Sequence, residues 1–247
     1  MRLSLVSALL GLSLAACTGT IGEDGGGGGG GRGPDAASAV PRLDAAVDKP
    51  TITTELSTTT MVTVTLEGSG GFSGPVSLTA SVVDPASTPM NGWTVTLDTS
   101  NVTIDANGTA SVVATMTIPS VNRGLAATLK IDATSSLGTV NMTSAVTVQN
   151  QVTLPVRFNG NCQYPGNVSV RAGTKVRFLN AGGPNDELII HTNGDANGIP
   201  HGDNGTAITQ GLAYETTATG TSGTVDWYCH SPGPDLGGNN PKITIVP

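Results

Sequence analysis

Five side chains between residues 162 and 230 could do metal or thiol chemistry: Cys162, His191, His201, Cys229 and His230. All three histidines of the 247-residue chain are among them. Cys229 and His230 are adjacent in "TVDWYCHSPGPDLGGNNPKITIV", where a β-like run meets a Pro/Gly/Asn loop. Imidazole nitrogen and thiolate sulfur are the ligands that copper and zinc take. A cysteine at such a place is either a ligand or half of a disulfide. Neighbouring residues of a strand point to opposite faces, so Cys229 and His230 face one ion together only if the chain turns sharply between them.

The elements that must position these residues alternate apolar and polar side chains, the period of a strand. "GNVSVRAGTKVRFLNAG" reads as strand, tight turn at "RAGT", strand. "DELIIHTNG" is a strand ending at His191, "ITQGLAYETTAT" a turn and a strand, "TVDWYC" a strand ending at Cys229, and "PKITIVP" the closing strand.

In this order the pieces resemble the cupredoxins, the blue-copper family of small Greek-key β-barrels. The resemblance runs from "VSVRAGTKVRFLN" through "TQGLAYETT" and "VDWYC" to "KITIV" and covers essentially all of residues 151–247. It implies a copper ion held by His191 and Cys229, electron transfer as the role, and a redox protein as partner. Such centres use two imidazoles, one thiolate and a weak axial ligand. The chain departs from that pattern. No His follows Cys229 by the usual few residues, and no Met follows Met142. The second imidazole would come from His230 or from His201 in "GIPHGDNG", and the axial contact from Gln163 or a backbone carbonyl. In the family's topology "NGNCQYPG" starts at the metal end of the barrel, which brings Cys162 near Cys229. Two readings stay open: a Cys162–Cys229 disulfide, as an oxidising envelope favours, or a Cys/His cluster for copper or zinc. The disulfide reading makes the barrel the scaffold of a non-metal surface or adhesion protein.

Residues 51–150 have no His and no Cys. "MVTVTLEG", "GPVSLTASVV", "TASVVATMTIP" and "VNMTSAVTVQN" are short alternating runs separated by turn signals such as "DPASTP" and "DANGT". They predict an Ig-like β-sandwich. Glu55, Glu67, Asp84, Asp98, Asp105 and Asp132 are scattered singly, and Trp93 reads as a core anchor. Nowhere do nucleophile, base and orienting group assemble by spacing, so no enzyme is expected. The fold class is therefore all-β: an Ig-like sandwich, then a cupredoxin-like barrel.

Residues 1–17 have the layout of an export signal: Arg2, an apolar run, then small residues. "LAAC" resembles the lipobox of bacterial lipoproteins, which implies lipidation at Cys17 and a membrane anchor. By the same resemblance, Thr18 favours the outer membrane. Residues 18–50, with glycines from Gly25 to Gly31, are expected as a disordered tether. The net charge of −7 is thinly spread over 12% charged residues. Without a basic cluster, nucleic acid is not an expected partner.

Overall fold

A computed structural model describes residues 18–22, 40–122, 124–158, 162–164, 166–192, 198–199, 207–230 and 241–247. The chain is all-β. The first ten strands are β1 (Thr18–Gly22), β2 (Arg42–Val47), β3 (Thr51–Glu55), β4 (Thr59–Ser69), β5 (Gly74–Val83), β6 (Thr94–Leu97), β7 (Asn101–Ile104), β8 (Thr109–Thr117), β9 (Ala126–Ser135) and β10 (Gly138–Gln149). They form two five-stranded sheets, ordered β1-β2-β4-β8-β6 and β3-β10-β9-β5-β7. The alternation predicted for β4 holds: Val62, Val64 and Leu66 are buried, with more exposed residues between them. They meet Leu129, Ile131 and Ala133 of β9 and Val140 and Met142 of β10 in one core. Trp93 is buried in that core.

The expectation of a disordered tether over residues 18–50 is corrected at both ends. β2 pairs with β4, and β1 pairs antiparallel with β2, Ile21 opposite Leu43. The reason is a short amphipathic run: "RLDAAV" buries Leu43, Ala45 and Val47 on alternate positions. The glycine run itself lies outside the described residues, as do the export signal and Cys17.

The second unit contains β11 (Gln151–Phe158), β12 (Cys162–Gln163), β13 (Val168–Arg171), β14 (Lys175–Asn180), β15 (Ile189–Thr192), β16 (Ala213–Thr217), β17 (Gly223–His230) and β18 (Lys242–Val246). Two four-stranded sheets result, ordered β12-β11-β14-β16 and β13-β18-β17-β15. β11 pairs parallel with β14, and β13 parallel with β18. The tight turn at "RAGT" joins β13 to β14 without pairing them. It carries the chain from one sheet to the other, with Gly173 at φ 84° supplying a backbone that L side chains rarely adopt. Between the sheets, Trp227 packs edge-on against Phe178 at 4.8 Å and Tyr164 at 5.5 Å.

Asn150 alone separates β10 from β11. Glu55, at the end of β3, fastens the junction. Its two carboxylate oxygens accept from Gln151 Nε2 at 2.7 Å and Thr153 Oγ1 at 2.6 Å. The backbone N–H of Leu56 donates to the Gln151 carbonyl at 3.0 Å. Asn150 adds a bond from Nδ2 to the Gly173 carbonyl at 2.9 Å and one from Thr174 Oγ1 to its Oδ1 at 3.1 Å. Hydrogen bonds to a charged group contribute about 1.5–3 kcal/mol. Glu55→Ala is therefore expected to destabilise the chain by about 1–3 kcal/mol in urea unfolding, given that the site is only part-buried, with Glu55→Gln losing less.

Candidate metal centre

The site is set by one strand pair. β15 runs antiparallel to β17, with Ile189 opposite His230, Ile190 opposite Cys229, His191 opposite Tyr228 and Thr192 opposite Trp227. Directly opposed residues share a face, and successive ones alternate. Ile190, Thr192, Trp227 and Cys229 face the core and are buried. His191, Tyr228 and His230 take the outer face and are half-buried.

On that face the two histidines are diagonal neighbours, a spacing that long or aromatic side chains span. Their Nε2 atoms lie 2.8 Å apart, with ring planes 10° from parallel and centroids 4.9 Å apart. Tyr228 stacks on His191 at 4.9 Å and 15°, holding that ring in place. Two ring nitrogens this close cannot both carry a proton: one donates and the other accepts.

Asn180, at the end of β14, builds the approach to β15. It is buried, and its Nδ2 donates to the carbonyls of Asp186 at 2.7 Å and Ile208 at 2.8 Å, while its Oδ1 accepts from Gly182 N–H at 2.9 Å. Leu188 and Ile208 exchange backbone hydrogen bonds at 3.0 and 2.7 Å, fixing where β15 begins. Beyond β15, Thr192 Oγ1 donates to the Ile199 carbonyl at 3.0 Å, and Thr219 N–H to the Gly198 carbonyl at 2.6 Å. Gly198 has φ 94°, and a Cβ there would lie 2.3 Å from the Gly220 nitrogen, so only glycine fits.

The residues singled out by sequence are redistributed. The ligand pair implied by the resemblance, His191 with Cys229, does not form, because the two occupy opposite faces of the sheet. Cys229 is disulfide-bonded, so its sulfur is not a thiolate. His191 pairs with His230 instead, the residue that strand alternation turns away from Cys229. Gln163 is exposed on β12, in the sheet opposite the histidines. β12, whose backbone carries Cys162, packs against β17. His201 lies outside the described residues. Among the described residues no group of three or more His, Cys, Asp and Glu gathers. Sequence reasoning did not find Asn180 as the anchor of the loop or Tyr228 as the partner of His191. The available signal was that Tyr228 and His230 are two apart in one strand and share its face.

No family model matches the chain, and no curated protein matches it. Several solved structures show a weak likeness to the chain. A chain of the Salmonella enterica SafA pilin–SafB chaperone complex is 10% identical with a TM-score of 0.30, covering 81% of this chain and 94% of that one. The Escherichia coli chaperone DraB is 9% identical with a TM-score of 0.32, with the same coverages of 81% and 94%. A family 123 glycoside hydrolase from Clostridium perfringens is 10% identical with a TM-score of 0.37; the match covers 45% of this chain and 30% of the hydrolase. None of these likenesses bears on the histidine pair.

Asn180→Leu leaves the carbonyls of Asp186 and Ile208 and the Gly182 N–H without their partner. The expected cost is about 2–4 kcal/mol in chemical denaturation, since each buried group so stranded costs about 1–3 kcal/mol and some regain water. The nuclear magnetic resonance signals of the His191 ring should shift as well, because β15 loses its fixed start.

Proposed function

We propose that the chain is a cell-envelope lipoprotein whose C-terminal, cupredoxin-like domain binds copper through His191 and His230. The observation that carries this reading is the 2.8 Å approach of the two Nε2 atoms. Imidazole suits copper, zinc, iron and nickel, and copper heads the affinity order of the divalent series. A metal ion bonded to two imidazoles at about 2.0–2.1 Å holds their nitrogens roughly 2.9 Å apart at a right angle and roughly 3.3 Å apart at a tetrahedral one. The 2.8 Å separation is that of a hydrogen bond between rings that face each other nearly head-on, so an ion would enter by displacing the shared proton and turning the two side chains, with the sheet unchanged. The crossed strand order of the domain, with sequence neighbours β13 and β14 in opposite sheets, supports the cupredoxin-like reading. Cys17 would carry the lipid anchor, and a redox protein would be the partner if the copper cycles.

The second reading, a disulfide-stapled scaffold, is favoured by one observation of its own: Cys229 is disulfide-bonded. Its proposed partner is Cys162, on the strand that packs against β17. The two readings no longer compete, because the sulfur and the imidazoles lie on opposite faces of one sheet.

Two measurements test this. The purified full-length protein should take up copper in equilibrium dialysis, and His191→Ala and His230→Ala should each weaken uptake at least about tenfold, the loss typical of removing a ligand or its close support. Protein that takes up no copper from excess Cu(II) sinks the reading. Separately, a proteolytic digest made without reductant should contain a peptide joining Cys162 to Cys229; free Cys162 in that digest rejects the staple.

A further inference from the structure

We infer that the cleft between the two sandwiches binds a small zwitterion, an α-amino acid with an apolar side chain, held by Arg171 at its carboxylate and by Asp84 at its ammonium group. The inference goes beyond the copper reading and is independent of it, because it concerns a different part of the molecule.

The cleft has a volume of about 390 Å³, which falls in the range of small-molecule pockets. Its sides come from different units. Asp84, Pro89 and Met90, between β5 and β6, and Val121, between β8 and β9, belong to the first sandwich. Arg171, at the end of β13, belongs to the second. Clefts between domains are preferred places for ligands.

The guanidinium is the first of three observations that carry the inference. Val170 is buried in the core of the second unit, so alternation turns Arg171 out of that core, and its side chain lines the cleft. Its Nη1 donates to the Pro247 carbonyl. Its Nε is buried and has no acceptor among the described residues. A buried donor on a charged group is costly to leave unmatched, and native structures keep few. A carboxylate is the acceptor that the planar fork of a guanidinium matches.

The second is Asp84. Its Oδ1 accepts from the backbone N–H groups of Ala86 at 2.9 Å and Thr88 at 2.8 Å, which fixes the side chain. Among the described residues no ion pair joins Asp84 to Arg171. Opposite charges thus line one cleft without touching. A ligand that carries both charges bridges them.

The third is the wall. Pro89, Met90 and Val121 give the cleft an apolar side that suits an aliphatic side chain. Met90 is held in place: its N–H donates to the Val82 carbonyl at 3.0 Å, and its Cε would lie 3.3 Å from a Cβ on Gly124. Asn122 closes the loop that carries Gly124, its Nδ2 donating to the Gly124 carbonyl and its Oδ1 accepting from the Gly124 N–H at 3.4 Å.

The test titrates isotopically labelled full-length protein with leucine, with isovalerate, which lacks the ammonium group, and with isopentylamine, which lacks the carboxylate. Leucine is expected to shift the Met90 methyl and Arg171 Nε–H resonances and to approach saturation by about 10 mM. Isovalerate and isopentylamine should each bind at least about tenfold more weakly, the worth of one charge-assisted hydrogen bond. Arg171→Gln and Asp84→Asn should each weaken leucine binding by a similar factor. Asparagine keeps a side-chain oxygen for the N–H groups of Ala86 and Thr88, so the Asp84 variant is expected to fold. No saturable shift with leucine overturns the inference. So does equal binding of isovalerate or isopentylamine, or unchanged binding in either variant. The wild-type titrations decide the matter even if Arg171→Gln fails to fold.

Discussion

The register of β15 on β17 is the constraint on which the rest of the C-terminal domain depends. Side chains alternate across a strand, so one choice of register assigns Ile190, Thr192, Trp227 and Cys229 to the core and His191, Tyr228 and His230 to the outer face. The apolar set enforces the choice. Burial of a side chain the size of Val or Leu contributes about 1.5–3 kcal/mol, and Trp227, wedged between Phe178 and Tyr164, removes still more area from water. No chemistry on the outer face could outweigh that core and reverse the register. The imidazole pair is a consequence of the way the interior packs.

Around that strand pair the supports are polar and local. Asn180 gathers two carbonyls and one N–H from the loop that leads into β15, with a side chain that is itself buried. A buried amide so fully satisfied makes the loop a rigid entry to the strand. Further back, Glu55 and Asn150 join the two sandwiches, and the chain runs from β10 into β11 with a single residue between. The core residues of both units form one continuous cluster. The second unit is thus a continuation of the first, not a bead on a string.

The geometry also changes how the cysteine and histidine chemistry fits together. Read as a line of letters, Cys229 and His230 compete: the sulfur is either a ligand or a bridge. In the folded sheet they occupy different sides. A disulfide beneath the strand and a pair of imidazoles above it are compatible, and the first stiffens the platform on which the second stands. Closing a chain loop of this kind stabilises a domain by about 2–4 kcal/mol.

Much of this was legible in the sequence. The all-β class followed from short alternating runs between turn residues, and the buried positions of β4 are those on the apolar face of its alternation. His191 and His230 were visible as ligand types, and alternation alone separated His230 from Cys229. The edge strand β1 and its neighbour β2 were not legible, because "RLDAAV" buries only one leucine, one alanine and one valine and resembles a polar linker. That the "RAGT" turn crosses between sheets was hidden for a different reason: a tight turn looks the same locally whether or not its flanking strands pair. Local sequence determined which residues form strands and which side of each strand they take, since that needs only the two-residue period of the backbone. Which strands lie side by side, and in what register, is a contest among long-range contacts that no local pattern encodes. Tertiary structure alone therefore decided that His191 meets His230, and that Cys229 lies on the face opposite His191.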